Sequence, residues 1–225
     1  GGAVTIPSTI DGAQVRYIAD FAFSNVHNVT SVTIPSTVRR IGKGAFTQCY
    51  DLRAINVDSD NYFYTSSDGV LYSLDKSELI QYPMAKSGTL FAIPTQVSKI
   101  CYGAFRGSSL TSVTIPSNVQ EIDHYAFADC ASLSRFTISD STLHIGRDIL
   151  ADTPWYAAHS NGIVYVGKVA YTIKGSVSSP ELRSDTLALA AYLFEGSSFS
   201  SFNIPSSVRV IEYGAFLNCT SLKEI

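Results

Sequence analysis

Charged side chains are scarce in this chain, and those present form no patch of one sign. Lysine, arginine, aspartate and glutamate make up 16% of the 225 residues, and the formal net charge is −3. Binding to nucleic acid or to an anionic membrane surface needs a concentration of lysine and arginine. The sequence therefore argues against nucleic acid as a partner and predicts a surface built largely from uncharged polar side chains.

Long apolar segments are absent too. No run reaches the roughly 18 residues that a helix needs to cross a bilayer, so we expect no membrane insertion in this segment. No secretory leader opens the sequence. Because Gly1-Gly2 precedes the first repeat and the last repeat stops at Ile225, we expect the chain to be a fragment of a longer protein.

Signatures of catalysis and metal binding are missing as well. The four histidines are scattered, and no Cys-x-x-Cys pair or Gly-x-Ser-x-Gly turn occurs. Glycoside cleavage needs two opposed carboxylates, yet the outward strand positions of the repeats carry none. We predict no metal, no cofactor and no enzymatic activity; a hydrolase remains a distant third hypothesis. His124 is expected to face solvent.

One segment has the spacing of a phosphate-binding loop, Gly-x-x-x-x-Gly-Lys at 162–168. Its intervening residues are typical of a strand, and Val169 follows the lysine where magnesium binding requires Ser or Thr. We interpret this segment as a hairpin with a Gly-Lys turn.

A repeat with the pattern Ile-Pro-Ser-x-Val-x-x-Ile-x-x-x-Ala-Phe-x-x-Cys-x-x-Leu dominates the chain. It is cleanest over 34–52, 115–133 and 204–222, and the step from Val32 to Ile55 is 23 residues. A fixed period in this range is typical of a solenoid, in which each unit buries its apolar side only against its neighbours. We predict one solenoid over 1–225, with Phe46, Phe127 and Phe216 in a common column.

Each unit reads as two short strands and a turn. Val113 and Ile115 alternate with Ser112 and Thr114, as in a half-buried strand, and Pro116 ends it. The Val-x-x-Ile segment predicts a second brief strand, and the Ala-Phe segment predicts one helical turn. Three of the four cysteines occupy equivalent positions in different units, too far apart for a disulfide, so we predict free, buried thiols.

Two insertions, at about 58–89 and 139–180, interrupt the rhythm. Asp-Gly-Val-Leu-Tyr at 68–72 and Asn-Gly-Ile-Val-Tyr at 161–165 each begin a turn, a strand, a tight turn and a second strand. This order of turn and strand residues predicts a β-hairpin in both places. Upstream of the second, residues 148–158 predict a short helix broken at Pro154.

The repeat pattern and the two insertions resemble those of BspA-type leucine-rich repeat proteins, found on bacterial and some protist surfaces. The resemblance covers nearly the whole chain. It implies a leucine-rich-repeat solenoid, a β-rich right-handed stack of parallel strands with short helical turns and two β-hairpin insertions. It also implies an extracellular or cell-surface location and adhesion to host or matrix proteins, and it supplies no catalytic residues.

Two functional hypotheses follow. The first is a non-catalytic adhesion module that binds a host or matrix protein or a glycan, and the alternative is a structural spacer that projects another domain from the cell surface. Tyrosine and tryptophan anchor interfaces because they bury large area with few rotatable bonds, although aromatics are also needed to pack a hairpin onto the solenoid. The possible ligand-binding residues lie near the two insertions: Tyr62, Tyr64, Tyr72, Trp155, Tyr156 and Tyr165.

Overall fold

The computed structural model describes residues 2–177 and 179–225. Over these residues the chain is a β-solenoid of about nine turns, built mostly of parallel strands with almost no helix, which confirms the predicted fold class. No described helix is long and apolar enough to cross a membrane. The elements are β1 Gly2–Thr5, β2 Thr9–Ile10, β3 Ala13–Gln14, β4 Tyr17–Ile18, β5 Val29–Ile34, β6 Arg40–Ile41, β7 Ala54–Val57, β8 Tyr64–Ser67, β9 Val70–Ser73, β10 Glu78–Gln81, β11 Lys99–Ile100, β12 Ser112–Ile115, β13 Glu121–Ile122, β14 Arg135–Ile138, β15 His144–Ile145, α1 Pro154–Ala157, β16 Gly162–Val166, β17 Val169–Lys174, β18 Ala188–Leu189 and β19 Val210–Ile211.

The longer strands of successive turns form the front of the solenoid. β1, β5 and β7 pair in parallel, and β12 pairs with β14 in parallel. Val32 lies opposite Ile55 and Val113 lies opposite Phe136, so one strand step equals one sequence period. Along β12 the valine and isoleucine are buried while Thr114 is exposed, as the alternation predicts.

The Val-x-x-Ile segments form the back of the solenoid as two-residue strands. β11, β13 and β15 pair in parallel, which places Ile100, Ile122 and Ile145 in one buried row. β18 and β19 continue this pattern beyond the second insertion. The predicted second strand of each unit is therefore confirmed. It is short because the turn with the Ala-Phe segment follows at once.

Phe46, Phe127 and Phe216, predicted to form one column, belong to three different core clusters. Within each cluster, phenylalanines of the Ala-Phe segments stack in pairs. Their rings lie face to face between neighbouring turns, at centroid distances of 5.3 Å for Phe23 and Phe46, 4.8 Å for Phe105 and Phe127, and 5.3 Å for Phe194 and Phe216. Since each ring is covered mainly by the turns above and below it, no turn buries its phenylalanine alone.

The repeat cysteines make the same contact in each turn. The thiols of Cys49, Cys130 and Cys219 donate to the carbonyl oxygen of the phenylalanine one turn earlier, over 2.9 Å, 3.1 Å and 3.0 Å. All four cysteines are free, as predicted, although Cys101 and Cys219 are only half-buried. Burial raises the pKa of Cys49 to about 11, so this thiol stays protonated and able to donate.

Three local predictions need correction. Pro154 begins α1 instead of breaking a longer helix, because the first helical position needs no amide hydrogen; Thr153 accepts from the Tyr156 amide as the N-cap. The Ala-Phe segments are hydrogen-bonded turns, not helix. His124 is half-buried, its Nδ1 accepts from the Arg147 amide at 2.6 Å, and burial lowers its pKa.

Candidate binding groove at the second hairpin

The first hairpin closes the front of the solenoid over β7. β8 pairs with β9 and β9 pairs with β10, both antiparallel, and β10 joins β11 in parallel. On β7, the Ile55 amide donates to the Gly69 carbonyl oxygen at 2.8 Å and the Val57 amide donates to Ser66 Oγ at 3.0 Å. The outer edge of β7 is therefore covered by the hairpin that follows it.

A buried asparagine fastens this hairpin to the preceding turn. The Asn61 Nδ2 donates to the carbonyl oxygens of Pro35 and Val38, both at 3.0 Å. Its Oδ1 accepts from the Phe63 and Tyr64 amides, both at 2.9 Å. All four hydrogen-bonding positions of the side chain are used, which satisfies its burial.

The three aromatic residues predicted as ligand-binding near the first hairpin lie in different surroundings. Tyr62 is 81% exposed, beside the exposed Phe63. Tyr64 is half-buried; its hydroxyl oxygen accepts from the Ile41 amide at 2.8 Å, and burial raises its pKa. Tyr72 belongs to the core, and burial raises its pKa to about 12. Only Tyr62 projects fully into solvent.

The second hairpin brings Trp155 and Tyr165 to one groove. The Trp155 indole packs edge-on to Phe136 at 6.1 Å and lies 4.2 Å from the His159 ring. The Tyr165 hydroxyl accepts from the Arg183 amide at 2.9 Å, and the Arg183 guanidinium lies 4.0 Å above the Tyr165 ring. A hydrogen bond of 3.1 Å joins the same hydroxyl to Thr186.

Tyr156 lies beside this groove and shapes it indirectly. The Lys174 ammonium sits 5.2 Å from the Tyr156 ring centroid and donates to the carbonyl oxygens of Tyr156, Ala157 and His159. This cation satisfies carbonyl oxygens left free at the end of α1. Burial raises the pKa of Tyr156. Lys174 thereby fixes α1, and with it Trp155, against the hairpin.

The groove between β14 and β16 has a volume of about 460 Å³. Phe136 and Val164 are buried at its floor, while Trp155 and His159 are half-buried at one wall. We call it the hairpin groove; its more accessible lining comprises Thr137, Trp155, His159, Ser160 and Arg183. Across residues 2–177 and 179–225, no group of three or more metal-ligating side chains is gathered. The arrangement offers aromatic contact, one cation and backbone hydrogen bonds.

Sequence reasoning missed part of this groove. Thr137, His159 and Arg183 reach it from β14, from the end of α1 and from beyond the second insertion, respectively. Nothing in the local sequence links these positions, because the solenoid stacking brings them together. The Asn-Gly-Ile-Val-Tyr motif was the available signal, since it locates the hairpin beside which the groove forms.

A family model describes this repeat as the BspA-type leucine-rich repeat region. It matches in six copies, over residues 3–84, 82–155 and 155–225. The chain belongs to the BspA-type leucine-rich repeat family. No curated protein matches the chain.

Solved structures share the fold. A leucine-rich repeat protein from Eubacterium ventriosum is 24% identical with a TM-score of 0.64, over 96% of this chain and 64% of its own. The pneumococcal vaccine antigen PcpA is 22% identical with a TM-score of 0.60, over 96% and 49%. A leucine-rich cell surface protein from Faecalibacterium prausnitzii is 27% identical with a TM-score of 0.56, over 99% and 59%. The chain thus spans about half to two thirds of these relatives.

Proposed function

We propose that this chain is a non-catalytic recognition module of a cell-surface or secreted protein, which binds a host or matrix protein or glycan in adhesion. Family membership supports a binding or scaffold role, because leucine-rich repeat solenoids typically serve recognition. The similar protein from Faecalibacterium prausnitzii is a cell surface protein, which supports the location.

The hairpin groove carries the proposal. It combines a half-buried tryptophan, an exposed arginine and a buried apolar floor within one concave surface of about 460 Å³. Concave sites with aromatic walls and a few polar groups are typical of ligand binding. The six predicted ligand-binding residues divide accordingly: Trp155 and Tyr165 line this groove, Tyr156 supports it, and Tyr62, Tyr64 and Tyr72 belong to the first hairpin.

Binding assays with variants test this proposal. The immobilised chain is probed with a panel of matrix proteins, a glycan array and whole epithelial cells. We expect Trp155→Ala and Arg183→Ala each to weaken the strongest interaction at least tenfold. Tyr213→Ser serves as the control, since Tyr213 is 73% exposed and does not line the groove. Arg183 is exposed, so its loss separates recognition from folding.

The alternative function is that of a structural spacer, which would bind no ligand. If the wild-type chain bound nothing in the three panels, or if both groove variants bound as well as Tyr213→Ser, recognition by the groove would be rejected. Thermal melts of each variant identify any that fail to fold.

A further inference from the structure

We propose that the hairpin groove receives an extended polypeptide segment of a partner protein, which adds to the outer edge of β14 as a parallel strand. This inference rests on the proposed recognition function and specifies its partner as a peptide backbone rather than a sugar. Addition of a strand to a free sheet edge supplies main-chain hydrogen bonds for affinity and side-chain pockets for specificity.

Strand register identifies which backbone groups of β14 face the groove. β7 and β14 pair with their preceding front strands in the same register. On β7 the Asp58 amide donates back to the Ile34 carbonyl oxygen, whereas the Ile55 and Val57 amides point away from β5. By the alternation of a parallel strand, the corresponding amides of β14, at Phe136 and Ile138, point away from β12.

These two amides have no partner on the groove side. β5 is covered by β7, β12 is covered by β14, and β7 is covered by the first hairpin. For Phe136 and Ile138, no residue of the described chain outside β12 supplies an acceptor. An unpaired row of amides beside an apolar floor is a template for a further strand.

The segment that follows β15 leaves the position beside β14 vacant. The chain forms α1 here instead of a front strand, and within α1 the Trp155 amide donates to the Leu133 carbonyl oxygen at 2.9 Å. Within the described residues, β16 pairs with β17 alone. A Cβ at Gly69 would lie 3.0 Å from the Ala54 Cβ, whereas a Cβ at Gly162 would meet nothing within 4 Å. The start of β16 therefore stands away from the front sheet, whereas the turn of the second hairpin reaches the end of β14, since a Cβ at Gly167 would lie 3.0 Å from the Ile138 Cγ2.

The chain itself indicates which side chains suit this position. On β7, Ile55 points into the core and is fully buried, while Asn56 is exposed. A guest strand on β14 would likewise place an apolar residue over Phe136 and a hydroxyl or amide beside Thr137. Thr137 Oγ1 already donates to Thr114 Oγ1 at 3.1 Å, so a polar guest residue would extend that ladder.

The aromatic rings favour a peptide over a glycan. Sugars use open aromatic faces for stacking, but His159 lies 4.2 Å from the Trp155 ring and Arg183 lies 4.0 Å above the Tyr165 ring. One face of each ring is thus already in contact with the chain's own side chains. Within the described chain, the backbone amides of Phe136 and Ile138 remain without hydrogen-bond acceptors, and a peptide backbone supplies such acceptors.

A synthetic peptide with this chain's own sequence 52–58, Leu-Arg-Ala-Ile-Asn-Val-Asp, is the probe. Trp155 is the only tryptophan, so its fluorescence reports on the groove directly. We expect a saturable fluorescence change. N-methylation of the peptide at the position of Asn56, whose amide would face β14, should weaken binding at least tenfold. N-methylation at the first residue, outside the paired part, should change affinity less than twofold.

Amide hydrogen exchange measured by NMR locates the guest. We expect Phe136 and Ile138 to exchange faster than Ile55 and Val57 in the free protein, and to slow at least tenfold with saturating peptide. Ile138→Pro removes one edge amide at a position where an edge strand tolerates proline, and it should abolish peptide binding. Asn56→Ala, at the exposed position of β7 that corresponds to Thr137, is the control and should bind normally.

Three results would overturn the strand proposal: no saturable binding, indifference to the internal N-methyl group, or protection confined to β1, whose outer edge is also unpaired. If Ile138→Pro does not fold, binding of the unmodified and the N-methylated peptides to the unsubstituted protein still tests the strand proposal. Where matrix or glycan binding persists and is lost on Trp155→Ala, but the peptide does not bind, the strand proposal fails and the recognition function stands. If the protein binds neither the peptide nor any matrix protein or glycan, the strand proposal and the recognition function both fail.

Discussion

The two hairpins interrupt the solenoid at similar points but complete it differently. At the first, β8 covers the edge of β7, and the buried Asn61 side chain holds the hairpin through four hydrogen bonds. At the second, α1 takes the place of a front strand, Lys174 holds its end, and the edge of β14 stays open. The same sequence motif thus gives a hairpin packed on the sheet edge in one place and a groove beside the sheet edge in the other.

The difference follows from the conformation of the segment that precedes each hairpin turn: a strand at the first and a helix at the second. At the first hairpin, the segment after β7 stays extended as β8, which pairs with β9. Before the second, Thr153 and Pro154 start a helix, because one caps the amides and the other needs none. A helix satisfies its own backbone, so it leaves the backbone groups of the neighbouring strand unpaired.

The largest expected effect tests whether both hairpins contribute to one core. Tyr82 stacks on Phe105 at 5.2 Å, and both Tyr82 and Tyr171 are at most 2% exposed. We expect Tyr82→Ala and Tyr171→Ala each to lower the free energy of unfolding by about 3–5 kcal/mol, through lost burial and a residual cavity. Urea denaturation measures this. A loss under about 1 kcal/mol for either would mean that its hairpin lies outside the cooperative core.

Replacing Asn61, which holds the first hairpin on the preceding turn, should have the next largest effect on stability. In Asn61→Ala, the amides of Phe63 and Tyr64 and the carbonyl oxygens of Pro35 and Val38 lose their partner. We expect a destabilisation of about 2–4 kcal/mol, because unsatisfied buried groups carry a desolvation cost. Asn56→Ala, at an exposed site on β7, is the control and should stay within about 0.5 kcal/mol. Equal effects of the two would remove Asn61 from this role.

A conservative pair distinguishes the tyrosines of the two hairpins. The Tyr171 hydroxyl oxygen accepts from the buried Leu150 amide at 2.9 Å, so Tyr171→Phe should cost about 1–3 kcal/mol. Burial, and not a hydrogen bond, raises the pKa of Tyr82, so Tyr82→Phe should cost less than about 0.5 kcal/mol. Thermal unfolding of both variants checks the order, and a reversed order would contradict it.

Removing the hydrogen bond between Ser66 and β7 should make the edge of β7 as accessible as the edge of β14. Ser66→Ala removes the acceptor of the Val57 amide, at a cost of about 1 kcal/mol. We expect Val57 to exchange its amide hydrogen as fast as Ile138 in this variant, by NMR. Ser67→Ala, at the neighbouring exposed position, should leave the exchange unchanged. Continued protection of Val57 would show that the hairpin covers β7 without that hydroxyl.

The smallest expected effect lies in the regular turns between the hairpins. Burial lowers the pKa of His124 below its ordinary 6.5, and its neutral Nδ1 accepts from the Arg147 amide. As pH falls below about 6.5, the unfolded chain takes up a proton that the folded chain resists, so stability should decrease toward acidic pH. Melts between about pH 8 and pH 5 measure this, and His124→Gln should flatten that part of the profile.

The repeating units could be derived from the sequence because each turn solves the same local problem. Strand alternation at Val113 and Ile115, proline at the strand end, and the spacing of Phe23 and Phe46 all recur with one period, so local pattern and global stacking agree. The hairpins were predictable for the same reason, since turn dipeptides and β-type runs act locally. The reversal of Pro154, from helix breaker to helix start, depended on the N-cap hydrogen bond of Thr153.

The open edge and its groove were decided only by the tertiary structure. Thr137, Trp155 and Arg183 meet because turns distant in sequence stack at fixed spacing, and no local pattern encodes that meeting. Whether the amides of Phe136 and Ile138 are covered depends on what lies one turn further along. A periodic sequence specifies the contacts that every turn shares, whereas an interruption leaves backbone groups unpaired according to how the neighbouring turns close around it.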